Sequence, residues 1–203
     1  TTGEISGVPA RSYNWQDEIY RSGISRKVGG SVSGGTDSGN YYISAGFDDQ
    51  QGIVPTSSFK SGDMRINFNQ DLNDKLILEA RMSGYLSSTN FAESGDLLGG
   101  SNQSFIKQVI SFRPIISEEY EDFGEDLDIS NPYSWINDFE DISKESRYIG
   151  NLALTYKLPI QGLRYQVKIG GNIRTKERRR FFGTTTWQGN NANGSLQITG
   201  LNN

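Results

Sequence analysis

Six stretches of this chain have the spacing of β-strands, five of them alternating apolar and polar side chains with a period of two, and no other feature constrains its fold as tightly. Tyr41, Ile43, Ala45 and Phe47 occupy one set of positions, and Tyr42, Ser44, Gly46 and Asp48 the other. Successive side chains of a strand point to opposite faces, so a segment of this kind is a strand with one apolar and one wet face. Met64, Ile66 and Phe68 alternate with Arg65, Asn67 and Asn69, and Leu76, Leu78, Ala80 and Met82 with Glu79, Arg81 and Ser83. Tyr148, Leu152, Leu154, Tyr156 and Leu158 alternate with Arg147, Asn151, Thr155 and Lys157. Leu163, Tyr165, Val167, Ile169 and Ile173 do so with Arg164, Gln166, Lys168, Asn172 and Arg174. The polar sets carry full charges, which suit the solvated face of a soluble sheet or the interior of a porin-like barrel.

Composition narrows the choice. At 203 residues, 34% hydrophobic and 11% aromatic, the chain is thinly supplied for a closed soluble core of its own. No apolar run approaches the ~20 residues of a membrane helix, so any crossing is made by tilted strands of about 9 to 11 residues. A net charge of -4 offers nucleic acid no attraction. With no Cys and no His, thiolate and imidazole chemistry is excluded, and the remaining carboxylates fall into no catalytic pattern, so the chain reads as non-enzymatic. The basic cluster Lys176, Arg178, Arg179 and Arg180 reads as a loop or rim feature beyond the end of a strand.

The connections sort by length. A strand over 27–35 turns through 36–40 into one that ends near Gln50; 51–62, with Gly52 and Pro55, is longer, and 71–75 is compact. A long insert, 89–146, precedes the short link 159–162, and 183–194 leads to the start of a further strand over 195–199. Alternating short and long connections are those of an up-and-down antiparallel barrel in an outer membrane, with tight periplasmic turns and long extracellular loops. The expected fold is therefore all-β. It comprises an outer loop over 1–26, four strands over 27–88, a long extracellular loop over 89–146, two strands over 147–182, and an outer loop with the next strand's start over 183–203. Within the long loop, 101–110 has helical spacing, and Asn131-Pro132 opens a short helix through Trp135, Ile136 and Phe139.

Particular strings add to this. The run from Asn14-Trp15-Gln16-Asp17-Glu18 to Arg21, then Ser31-Val32-Ser33-Gly34-Gly35 and Asn40-Tyr41-Tyr42-Ile43, closely resembles the barrel region of SusC/RagA-type TonB-dependent transporters. Gln51-Gly52-Ile53-Val54, Phe112-Arg113-Pro114, Asn131-Pro132, Gly150-Asn151-Leu152 and Thr185-Thr186-Trp187 follow in the order that family shows. The resemblance implies a barrel of about 22 strands around a plug, of which this chain would be about strands two to seven. It also implies import of oligosaccharides or peptides with a SusD-like surface lipoprotein as lid, and energy from TonB through an N-terminal region. Plug domain and TonB box are not among these residues, so the chain is expected to be a segment of a longer barrel. Such a segment would need the rest of the barrel, its plug and outer-membrane lipid around it.

On this reading Arg65, Glu79, Arg81, Lys157, Arg164, Lys168 and Arg174 face the lumen, either paired with plug and wall or lining the substrate route. Tyr41, Tyr85, Tyr148, Tyr156 and Tyr165 read as girdle aromatics. The acidic run 118–128 is either solvated surface, a contact for the lid protein, or a hard-cation site in which Asp122, Glu125, Asp126 and Asp128 are candidate calcium ligands. No other cofactor is expected. Tyr133, Trp135 and Trp187 are candidate loop or partner contacts. Three alternatives stand beside import: a passive porin, a SusC-like barrel serving an assembly or secretion complex, and a soluble β-rich adhesin or glycan-binding module.

Overall fold

The computed structural model describes residues 2–5, 8–12, 14–92, 109, 110, 112, 115–117 and 132–203. Its strands are β1 (Thr2–Ile5), β2 (Val8–Ser12), β3 (Ser25–Thr36), β4 (Gly39–Gln51), β5 (Ser58–Asn73), β6 (Leu76–Asn90), β7 (Ile115–Ser117), β8 (Phe139–Lys157), β9 (Arg164–Phe182) and β10 (Ser195–Asn202). Seven of them form one antiparallel sheet in the order β10-β9-β8-β6-β5-β4-β3, and β1, β2 and β7 form a second, three-stranded sheet. The large sheet is wound up and down, each long strand beside the one before it, as in a wall segment of a barrel. Short helices lie at Trp15–Ile19, Pro132–Asp138 and Trp187–Ala192. Among the described residues no helix is long and apolar enough to cross a membrane.

Cross-strand register turns the period-two pattern into two continuous faces. One row runs through Tyr41, Phe68, Ala80, Leu152 and Ile169, and the next through Tyr42, Asn67, Arg81, Asn151 and Gly170 on the other side. On β8 and β9 the apolar band extends from Tyr148 to Tyr156 and from Tyr165 to Ile173, the reach a tilted strand needs to cross hydrocarbon. Tyr156 faces Tyr165 at one edge and Tyr148 closes the other. Among the described residues no layer covers the apolar face: Val28 and Ile169 are each 69% exposed. A soluble sheet of this size buries one face. The buried cluster of Trp15, Ile19, Val54, Val109, Phe112, Trp135, Phe139 and Phe182 lies instead at one end of the sheet, where the long connections gather.

The strands outrun the alternation. Residues 139–146 belong to β8, although their sequence reads as loop, and β5 starts at Ser58, so the connection expected over 51–62 shrinks to 52–57. Within the span 1–26, expected as an outer loop, lie β1, β2 and a short helix, and β3 starts at Ser25. Beyond an apolar band both faces of a ladder are polar, so the alternation disappears while backbone pairing continues. The remaining turns are short at the opposite end, at 37–38, 74–75 and 158–163, against 52–57, 91–138 and 183–194 at the cluster's end.

The assignment of faces has a direct test. In the complete barrel, folded into lipid vesicles, Ile169→Arg is expected to lower the unfolding free energy by about 2–4 kcal/mol. Ser33→Arg, on the polar face of β3 across from Tyr42, should change it by less than about 0.5 kcal/mol. Equal losses in urea titrations of the two variants would mean the faces are misassigned.

Candidate functional site

The candidate residues occupy the polar face. By register Arg65, Glu79, Arg81, Lys157, Arg164, Lys168 and Arg174 all share it, opposite Ile43, Ile66, Leu152 and Ile169. Only some of them meet. Arg65, Asn67, Asn69, Glu79, Arg81 and Asn151 line a shallow depression of about 500 Å³. Lys157 and Arg164 are direct cross-strand partners at the short-turn end, Lys168 lies opposite Ala153, and Arg174 faces Arg147 farther out. Tyr85, read from sequence as a girdle residue, is on this polar face too, opposite Asp63 and Arg147.

Like charges placed directly across a ladder repel, and diagonal partners relieve one such pair here. Arg174 donates from Nε to Glu145 Oε1 at 2.8 Å and from a terminal nitrogen to Oε2 at 3.2 Å. Arg147 Nε donates to Asn172 Oδ1 at 3.3 Å. A tighter clasp sits toward the long-loop end. Asp141 has no exposed surface and accepts two hydrogen bonds from Arg178, at 2.7 and 2.5 Å, while the Arg180 Nε lies 3.9 Å away. The Arg178 guanidinium also stands 4.8 Å from the centroid of the Phe91 ring. This is the planar, two-point pairing that arginine makes with carboxylate, with a cation–π contact on its face. Lys176, Arg178, Arg179 and Arg180 are therefore no loop beyond a strand. They lie inside β9, with Lys176, Arg178 and Arg180 on the polar face and Arg179 on the other.

The rim at this end is held by aromatic packing. Pro132 opens its helix at the first position, where a missing N–H costs nothing. Trp135, 1% exposed, stacks on Phe139 at 4.5 Å and donates from Nε1 to the Ala92 carbonyl at 2.7 Å. Phe182 packs 5.1 Å from Phe139, so the ends of β8 and β9 anchor the cluster. Trp15 meets Phe112 edge-on at 5.2 Å and Tyr133 at 5.5 Å, and the Tyr133 hydroxyl donates to Glu18 Oε2. Tyr133 and Trp135 thus contact other loops, and Trp135 offers no surface to a ligand.

Trp187 opens the helix of the last loop, whose N-cap is Thr186: its hydroxyl accepts from Gly189 N and donates to the Gly183 carbonyl. Asn193 at φ 54° and Gly194 at φ 95° end that helix in the left-handed region. Asp138 Oδ2 accepts from Thr185 N and Oγ1, joining this loop to the Pro132–Asp138 helix. A Cβ on Gly189 would lie 1.8 Å from the Gly183 carbonyl oxygen. Gly189→Ala is accordingly expected to cost about 1–3 kcal/mol and to open the loop to proteinase K. Unchanged cleavage kinetics within 183–194 would refute this packing.

Asp122, Glu125, Asp126 and Asp128 lie outside the described residues, as does most of the helical spacing at 101–110. Among the described residues no group of three or more Asp or Glu side chains is placed to hold a metal ion.

No family model matches the chain. It is similar to the TonB-dependent receptor P3 of Formosa agariphila, 26% identical over 184 residues, covering 87% of this chain and 18% of that protein. It is also similar to the TonB-dependent receptor SusC of Bacteroides thetaiotaomicron, 24% identical over 184 residues, covering 78% and 18%. Among solved structures, the RagAB peptide transporter matches its fold with a TM-score of 0.61 at 18% identity, over 85% of this chain and 20% of that one. The RagAB peptide importer in its closed-closed state gives 0.56 at 20% identity, over 86% and 20%. The chain thus spans about a fifth of the length of the proteins it matches.

Proposed function

We propose a function from one premise: the chain is a barrel segment of a SusC/RagA-type TonB-dependent transporter of the outer membrane. The curated relatives are named as receptors and the similar solved structures as a peptide transporter and importer, which supports a role other than catalysis. Its role is to form part of the wall through which the complete protein imports oligosaccharides or peptides. A SusD-like surface lipoprotein covers the outer mouth, and TonB supplies energy through a plug.

The observation that carries this reading is the two-faced sheet, whose uncovered apolar band is bounded by tyrosines while its other face carries charge. A face of this kind is stable against hydrocarbon, and a charged face against a wet or plugged lumen. The short turns then lie on the periplasmic side and the aromatic rim on the outside, where the lid protein sits. Arg65, Glu79, Arg81, Lys157, Arg164, Lys168 and Arg174 face the lumen.

Cells that express the complete protein with its lipoprotein neighbour are expected to accumulate labelled oligosaccharide or peptide only while TonB is present. Uptake that continues undiminished after TonB is deleted would instead assign the barrel to passive passage. Recovery of the barrel in an assembly or secretion machine, with no lipoprotein partner, would replace the import reading.

A further inference from the structure

We propose that the polar wall of β5, β6, β8 and β9 is a cation ladder that selects anionic cargo, a short oligomer bearing repeated carboxylates; the inference rests on the import reading above. The chain as a whole is acidic, yet the polar face of strands β3 to β9 holds eleven Lys and Arg against six Asp and Glu. The excess is concentrated on β8 and β9, where eight cations face two carboxylates. Both carboxylates are engaged, Glu145 by Arg174 and Asp141 by Arg178 and Arg180. Of the other cations, Lys176 stands directly across the ladder from Glu145 and Arg147 donates to Asn172, while Lys157, Arg164 and Lys168 make no salt bridge among the described residues.

Register arranges the cations as steps. From the row of Lys176 to the row of Lys157 and Arg164, successive polar rows contain Lys176, Arg147, Arg65, Arg81 and Lys168. A single row, that of Thr155 and Gln166, interrupts the series before Lys157 and Arg164. Same-face residues on a strand are about 7 Å apart, so the ladder covers about 40 Å, from beyond the apolar band to the short-turn end. Asp63, Glu79 and Asp71 lie within these rows, in those of Arg147, Lys168 and Gln166, and leave the net sign of the face positive.

The side-chain types fit transient handling of anions. On this face the fixed ion pairs are made by Arg, whose planar fork suits a permanent two-point partner. Lys157, Lys168 and Lys176 are point charges on flexible stems. Several weak, equivalent sites in series let an ion enter without being trapped, and a low-dielectric wall of one sign raises its local concentration.

The test uses the complete transporter with plug and lipoprotein, purified in mild detergent. Fluorescent oligoglutamate and oligogalacturonate are compared with uncharged oligoglutamine and neutral oligosaccharide, on the wild type and on Lys157→Gln/Lys168→Gln/Lys176→Gln. At least one acidic probe is expected to bind about tenfold tighter than its neutral counterpart, which of the two identifying the cargo's backbone. The preference should shrink as salt rises from about 0.05 to about 0.5 M and disappear in the triple variant. Lys168→Gln alone, expected to lose part of it, guards against a triple variant that fails to fold. Equal affinity for acidic and neutral probes would overturn the proposal, as would a preference that the triple variant keeps. A triple variant with unaltered preference but a plug newly accessible to trypsin would assign the ladder to an acidic plug surface, again against the proposal. TonB-dependent uptake of a neutral probe, measured in the same strains, would show that import itself survives such a failure.

Discussion

Asp141→Ala is expected to destabilise the complete barrel by about 3–5 kcal/mol, the range for removing one partner of a buried ion pair. The reasoning starts from solvation. Asp141 is fully inaccessible and Arg180 only 5% exposed, so neither charge can recruit water once the other is gone. Arg178, partly exposed and seated on Phe91, would keep part of its hydration and its ring contact, but Arg180 would be left beside a cavity. Asp141→Asn keeps the volume and one acceptor and should cost less. Removing Arg178 in the Asp141→Ala background should then cost less than removing it alone, because the interaction it loses is already absent. Urea unfolding of the four proteins in vesicles measures this coupling, and additive losses would show that the clasp contributes nothing as a pair.

Trp135→Ala is expected to cost a similar amount, about 3–5 kcal/mol, through the cavity left by a large buried ring. Trp135 is the centre of the rim: it stacks on Phe139, contacts Phe182 edge-on at 6.4 Å and holds the chain at Ala92 by its indole N–H. Trp135→Phe separates the contributions, since it keeps an aromatic ring and loses the hydrogen bond, about 0.5–1.5 kcal/mol of the total. If the rim is one packed unit, protease sites in 91–138 and in 183–194 should open together in the alanine variant. Opening of only one loop would show that the two are held independently.

Much of the architecture was legible without coordinates. The two faces of the sheet, the hairpin at 37–38, the compact turn after β5 and the helix begun by Pro132 each follow from patterns a few residues long. The seven charged residues share the face their spacing implies, because parity along a strand survives any error in its ends. The upper part of β8 was missed for the complementary reason, and the basic residues of upper β9, inside the span 147–182 expected to hold two strands, read as a loop or rim feature. There the strand has no apolar face, so Glu140 to Ser146 and Thr175 to Arg180 carry no alternation to read. The basic cluster in β9 consequently resembled a loop, and its partner Asp141 stands 37 residues earlier in the chain.

What the sequence determined by itself is the division between an apolar and a charged face, since that division is written in every second residue and needs no knowledge of neighbours. It also excluded thiol and imidazole chemistry outright. The tertiary structure alone decided which charges pair among the described residues, and where the chain buries its few large aromatics. Two of those contacts join residues 37 and 43 positions apart, Arg178 with Asp141 and Trp135 with Ala92, and their meeting depends on the register of whole strands. Local periodicity reflects the two environments on either side of a sheet, and that is why it reports faces and is silent about partners.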